Sequence, residues 1–491
     1  MTSGAVAGEA MTPSDAILWR IEHDPVLRST VTAVCRLDRA PDADRLRRRV
    51  EEVVGREPRL RQVVAEPPLG CGPPRWRPAP EVDLDDHLRW VRLPADRSGF
   101  DDVLELAAHQ AMTGFDRTRP LWELTVVDDV DGGAALIQRF HHAVTDGIGG
   151  MRLAFELLDT QRGGGRLAGD RPRGPRASDD HLVTFPHPPD KAGGPSLPRL
   201  VARTVGHGVA RSVAAPRLVG QAALRAGRSP QRSLAEAFDT LVWGARLVAP
   251  VAAPLSPVMR ARSTRLAFAA FDVDLPRLHA AARAAGGTLN DAFVTGVGGG
   301  LRRYHQAIGH PVDRLRITLP VSIRRPDDAP MVNRFTPVRF EVPLVPPEPA
   351  LLLPLLGSII RQWRQGPALG LSDAMATVLS VLPAPALAGV FGALLRNVDF
   401  VATNVPGLAA PAYLAGARVD RQYAFAPPSG AAVNVAMLSH VGHCCIGVNM
   451  DRAAVSRPDV LVRSLREGFE EVLALVPATD PVPGGPRAVG R

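Results

Sequence analysis

Hydrophobic and polar positions along this 491-residue chain fall into two blocks of regular periodicity, separated by a stretch with neither. In the first block, "PDADRLRRRVEEVVGREPRLRQVV" opens on Asp42, a natural N-cap, and continues with helical spacing. "LWELTVVDDVDGGAALIQRF" then changes to two strand-like runs on either side of "DDVDGG", which predicts a hairpin. The second run, Ala134 to Phe140, leads directly into His141 and His142. After Asp146, "GIGGMRLAFELLDT" returns to helical spacing. The two histidines and Asp146 therefore stand at a strand–loop–helix junction.

The second block begins near Arg265. "LAFAAFDVDLPRLHAAARAAGGTLNDAFVTGVGGGLRRYH" predicts strand, helix, turn and helix. "LRITLPVSI", "RFTPVRFEVPL" and "DFVATNVPG" predict strands, and "AVNVAMLSHVGHCCIGVNMD" a hairpin turning near Val441-Gly442. "DVLVRSLREGFEEVLALV" predicts an amphipathic closing helix. Ala374 to Leu395 carries no charge and is long enough to span a bilayer. Pro383 and Pro385 interrupt it, so two short buried helices with a break are expected.

Between the blocks, "QRGGGRLAGDRPRGPRASDD" has the composition of a disordered linker. From Lys191 to Ala235 no acidic residue occurs, while Arg199, Arg203, Arg211, Arg217, Arg225, Arg228 and Arg232 alternate with Leu, Val and Ala. That pattern suits either a basic amphipathic segment on anionic lipid or a solvated linker face. The expected organisation is an α/β unit over 12–158, a linker over 159–262, a second α/β unit over 263–478 and a disordered tail over 479–491.

The chain is too long for one core. Its 45% hydrophobic and 22% charged residues are ordinary for a globular protein. The net charge of +8 is carried almost wholly by arginine. It suits nucleic acid, an anionic membrane surface or a phosphorylated substrate. The arginine-rich linker lacks an aromatic stacking platform, so no nucleic-acid partner is expected. Cys35, Cys71, Cys444 and Cys445 fit neither a disulfide framework nor a C-x-x-C pair, which points to a reducing cytoplasm. "MTSGAVAGEAMTPSDAILWR" lacks the layout of a secretory signal.

The chemistry concentrates in "HHAVTDGIGG", His141 to Gly150. A histidine at a strand end can be held by backbone contacts and still reach a cleft, where it can take a proton from a hydroxyl. Asp146, at the first turn of the following helix, can fix the loop, and Gly147 leaves space beside it. Two other readings are open on the residues alone. The Asp-Gly pair can simply make a turn, or His141, His142 and Asp146 can ligate zinc. No second ligand cluster stands nearby. His440, His443, Cys444 and Cys445 lie on a hairpin where neighbours face opposite sides, so no metal is expected. "GVGGG", Gly296 to Gly300, lacks phosphate-loop spacing and suits close helix packing instead.

These stretches together resemble the bacterial wax ester synthase/diacylglycerol acyltransferases, within the wider CoA-dependent acyltransferases that include chloramphenicol acetyltransferase and peptide-synthetase condensation domains. "HHAVTDG" is shared across the wider group. "MTPSDAILW", "FDRTRPLWE" with Pro120, Leu121 and Trp122, "TLNDAF" with Asn290 and Asp291, "LPVSIR", "MVNRF", and "ATNVPG" with Thr403, Asn404 and Gly407 point to the narrower family. The resemblance covers nearly everything outside 160–250. It implies two chloramphenicol-acetyltransferase-like α/β domains, each with a mixed sheet flanked by helices, and a substrate tunnel between them. It implies His142 as the general base that activates an acceptor alcohol against the thioester of an acyl-CoA. His141 and Asp146 (the latter paired with Arg324) would be supporting members of the site. Asn290 would be a candidate oxyanion donor, and Gly147, Pro120, Leu121, Trp122, Asp291, Thr403 and Asn404 would shape the substrate cleft.

The implied partners are acyl-CoA as co-substrate, diacylglycerol or a long-chain alcohol as acceptor, and a membrane inner face or lipid droplet as the surface. No other cofactor is implied. Two rivals share part of the pattern. One is a condensation-type acyltransferase that uses a carrier-protein thioester or a glycolipid or polyketide alcohol. The other is a non-enzymatic lipid-binding or lipid-droplet protein using the basic linker.

Overall fold

A computed structural model describes residues 8–67, 72–145, 147–165, 253–322, 335–365, 376, 379–380, 383–427 and 429–477. Asp146, Arg324, Cys71, the arginine-rich stretch 191–235 and the tail 479–491 lie outside these residues. The first half forms β1 (Glu9–Ala10), α1 (Pro13–Ile21), β2 (Thr30–Leu37), α2 (Ala43–Arg56), β3 (Gln62–Ala65), β4 (Arg75–Pro78), α3 (Leu84–His87), β5 (Leu88–Arg92), α4 (Phe100–Met112), β6 (Trp122–Val130), β7 (Gly133–His141), α5 (Gly147–Glu156) and β8 (Leu158–Asp159). The second half forms β9 (Leu266–Asp274), α6 (Leu275–Ala284), α7 (Leu289–Ala307), β10 (Arg314–Ser322), β11 (Phe335–Pro343), α8 (Pro349–Gln365), α9 (Ala384–Leu395), β12 (Phe400–Leu408), β13 (Tyr413–Leu414), β14 (Ala417–Phe425), β15 (Val433–His440), β16 (His443–Asp451) and α10 (Pro458–Leu473).

Two mixed sheets organise these elements. The first has seven strands in the order β5-β6-β7-β2-β14-β13-β8, and the second six in the order β11-β10-β12-β15-β16-β9. The pair β5/β6 is parallel in the first sheet, as are β10/β12 and β12/β15 in the second. Both expected hairpins form where the turn chemistry allows. Asp131 and Gly132 take φ of 49° and 77° between β6 and β7, and Val441 and Gly442 take 43° and 81° between β15 and β16. Such positive φ pairs suit the right-handed twist of the strands they join. Asp42 caps α2 by accepting the Arg45 N–H at 2.8 Å.

The glycine run in α7 is explained by packing. A methyl on Gly300 would sit 2.5 Å from the Cα of Leu465 in α10, and one on Gly296 would sit 2.7 Å from the Phe469 ring. Gly468 of α10 lies against the Gly300 backbone in turn. Each glycine costs the helix about 1 kcal/mol relative to Ala, and here the cost allows two helices to cross at close range.

The halves share a sheet. The strand β14 lies in the second half of the chain but pairs antiparallel with β2, extending the first sheet. From there it faces the second sheet directly. Gly447 of β16 abuts the Ala424 carbonyl. Phe425 stacks on Phe268 with ring centroids 4.1 Å apart. Asp272 accepts from the Tyr423 hydroxyl at 2.9 Å and from Arg421 at 2.6 Å. A second bridge joins α1 to α9, where Ile17, Ile21 and Leu27 cluster with Leu387. The expectation that the charge-free stretch forms buried helices is corrected for α9. Pro385, Ala386, Gly389, Val390 and Ala393 are exposed, because α9 has α1 on one side and no neighbour over its outer face among the described residues. No helix among the described residues is long and apolar enough to cross a membrane.

Candidate active site

The histidine turn is built by three converging backbones. His141 ends β7 opposite Thr30 of β2, and its N–H donates to the Leu121 carbonyl at 3.0 Å. The next N–H, that of His142, donates to the Ser29 carbonyl at 2.7 Å. Leu121 is fixed in turn by its neighbours. Pro120, Leu121 and Trp122 are all buried, and the Trp122 indole donates to the Leu60 carbonyl at 2.9 Å while its ring stacks on His87. Trp122 is a core residue, and the Pro-Leu-Trp stretch acts by locating the strand end that carries the histidines.

The two imidazoles have different surroundings. His141 is 1% exposed and lies between Trp19 and Phe115, with ring centroids 5.6 and 6.4 Å away. Its Nδ1 accepts the Ala143 N–H at 3.0 Å, so the ring proton belongs on Nε2, which lies 3.4 Å from Oε1 of Glu22. His142 is half-buried, one residue past the strand. The helix α5 that follows contacts β12, and Leu153, Leu157 and Leu408 belong to one buried cluster. Gly147, five residues after the second histidine, opens the helix that makes this contact.

Glu22 follows directly on α1 and is the site residue that sequence reasoning missed. Its side chain is 5% exposed. Its Oε1 accepts the Ser29 N–H at 2.7 Å, and its other oxygen lies 3.9 Å from both Arg28 and Arg117. Burial alone would push this carboxyl up. The His141 ring, the Ser29 N–H and Arg28 outweigh burial and hold it down at about 2. Glu22 thus reaches both histidines, His141 through its ring and His142 through the Ser29 peptide. Local pattern gives no sign of this, because Glu22 is far from the histidines in sequence.

The remaining candidates lie on the second half. Asn290 stands at the start of α7, and its Nδ2 is buried without a hydrogen-bond partner. Asp291 is engaged in a capping box, accepting from the Thr288 N–H at 2.9 Å and hydroxyl at 2.8 Å. Thr403 and Asn404 lie on β12 opposite Ala436 and Met437 of β15, with Thr403 half-buried and Asn404 exposed. Among the described residues no three His, Cys, Asp or Glu side chains converge as a metal site would need. His440 bonds the Val419 carbonyl at 3.1 Å, and His443 lies 3.1 Å from Arg421. Burial pushes the Cys444 and Cys445 thiols up to about 12.

Comparison with known proteins gives the family and the fold. Residues 11–293 match the model of the wax ester synthase/diacylglycerol acyltransferase catalytic domain, and residues 331–473 match the WS/DGAT C-terminal domain. A putative diacylglycerol O-acyltransferase of Mycobacterium tuberculosis is 35% identical over 95% of this chain and 92% of its own. The O-acyltransferase WSD of Acinetobacter baylyi is 26% identical over 81% and 84%. Among solved structures, the wax ester synthase/diacylglycerol acyltransferase of Marinobacter aquaeolei VT8 superposes with a TM-score of 0.58, at 19% identity over 94% of this chain and 98% of that one. The first condensation domain of the calcium-dependent antibiotic synthetase gives 0.57, at 15% identity over 96% of each.

Proposed function

The chain belongs to the wax ester synthase/diacylglycerol acyltransferase family, and we propose on that footing that it transfers a long-chain acyl group from acyl-CoA to the hydroxyl of diacylglycerol or a long-chain alcohol, with His142 as general base. The observation that carries the role of His142 is the division of labour at the turn. His141 is buried and committed to Glu22 and Ala143, whereas His142 is half-buried one residue past the strand, with its backbone N–H fixed on the Ser29 carbonyl. In the reaction the neutral imidazole takes the proton of the acceptor hydroxyl as its oxygen bonds to the thioester carbonyl carbon. The tetrahedral oxyanion then collapses, the C–S bond breaks, and CoA leaves as a thiolate that recovers the proton. The unpartnered Asn290 amide, at the positive end of α7, is our candidate donor to the oxyanion.

The test supplies labelled palmitoyl-CoA with a panel of alcohols, follows thiol release and separates products by thin-layer chromatography. Triacylglycerol from diacylglycerol, or wax ester from hexadecanol, is expected. Transfer only from an acyl carrier protein would favour the condensation-type reading.

Membrane or lipid-droplet contact is also part of this reading. It is supported by the acid-free arginine stretch 191–235. Seven arginines there should retain the protein on anionic vesicles at low salt and release it as salt rises. Equal retention by a variant lacking residues 161–235 would remove the linker from the account.

A further inference from the structure

The two histidines of the β15–β16 hairpin lie outside the site above, yet both hold the strand that joins the sheets. His440 and His443 are cross-strand partners at the turn, and each bonds to β14. His440 is 1% exposed, and its Nε2 lies 3.1 Å from the Val419 carbonyl. A carbonyl only accepts, so the ring proton sits on Nε2, and Nδ1 is bare, buried and without a partner. On His443 the roles reverse. Its Nε2 lies 3.1 Å from Nη2 of Arg421. A guanidinium only donates, so this Nε2 is an unprotonated acceptor. A proton added to His443 would displace Arg421, and one added to His440 would bury a charge and an N–H with no acceptor. We infer that His440 and His443 form a pH-responsive clasp, which grips β14 while both are neutral and loosens its hold on the second sheet when they are protonated.

The charged groups around the clasp offer a protonated ring little compensation. On β14, Arg421 repels it, and Asp420 accepts from Arg418 at 2.7 Å. On β9, Asp272 takes the Tyr423 hydroxyl on one oxygen and Arg421 on the other. Asp274 stands opposite His443 in the strand register and caps α6 by accepting the Arg277 N–H at 2.7 Å. Cys444 and Cys445 of β16 remain thiols, pushed up by burial. Asp272 can turn to a charged histidine only by giving up a bond to β14, so that route also loosens the strand. Burial, with Arg421 and His443, lowers the pKa of His440 and outweighs the Val419 carbonyl and Asp272. Neutral His440 therefore stabilises the fold fully above about pH 6.5, the ordinary histidine value, and the contribution is lost as pH falls below it.

The test replaces both rings by amides. In the double variant His440→Gln, His443→Gln, the first side chain can still donate to Val419 and the second can still accept from Arg421, but neither titrates. Urea unfolding of the two proteins is compared between about pH 7.5 and 5, the range in which an ordinary histidine charges. His87 and His305, which are also buried, are common to both proteins and cancel in the difference. Over this range the wild-type folding constant should fall about tenfold more than that of the variant. An equal fall in the two proteins, or a larger one in the variant, would overturn the clasp. If the double variant does not fold, each single variant is compared with wild type in the same way. A shallower pH dependence in either would sustain the inference, and wild-type dependence in both would refute it.

Discussion

His142→Ala is expected to lower turnover about 100- to 10,000-fold on the best acyl-CoA and alcohol pair, the usual cost of deleting a general base. The fold should survive, because His142 is held by its own backbone N–H to Ser29, which alanine keeps. His141→Ala should behave differently. It removes the acceptor of the Ala143 N–H and the imidazole facing Glu22, both buried. Stranding a buried polar group costs about 1–3 kcal/mol, so a lower unfolding midpoint should accompany a smaller loss of turnover. Near-normal turnover in His142→Ala would transfer the base role elsewhere.

Glu22→Ala should be the second most damaging change. It leaves the Ser29 N–H without an acceptor and His141 without its carboxylate, so both histidines lose their support. A fall of about 10- to 100-fold is expected, expressed in kcat more than in KM, since a loosened base acts on the chemical step. Glu22→Gln separates charge from hydrogen bonding. Its amide oxygen can still accept from Ser29, so activity should recover in part. The pH dependence of stability reads out the charge. With a native pKa of about 2 against an ordinary 4.5, the carboxylate stabilises the fold above pH 4.5, and this contribution drains away as pH falls towards 2. Wild-type protein should therefore lose its advantage over Glu22→Gln across that window. A gap in denaturant midpoint that is constant from pH 6 to 2.5 would mean that Glu22 carries no such role.

What the sequence disclosed follows the range over which its signals act. The hairpins on either side of Gly132 and Gly442 were legible because turn chemistry and strand pattern are local. Close helix packing at Gly296 and Gly300 was legible for the same reason. Strand β14 was not. "ARVDRQYAF" carries Arg418, Asp420 and Arg421, which obscure its alternation, and nothing local says which sheet it joins. Glu22 escaped because its meaning depends on Ser29 and His141, which only the tertiary fold brings to it. The exposed face of α9 was missed because hydropathy reports what a segment can bury and is silent on whether anything covers it.

The crossing of β14 into the first sheet has a consequence for how the chain is made. Thr32 finds its partner Phe425 only after nearly the whole polypeptide has left the ribosome. Until then the free edge of β2 is an unpaired template, the kind of surface on which chains aggregate. Pairings this distant in sequence also slow folding, since the loop must close before the contact stabilises it. The histidine turn depends on β2, because Ser29 precedes Thr30 at the start of that strand. Activity should thus appear late and all at once, and neither half of the gene, expressed alone, would encode a self-sufficient catalyst.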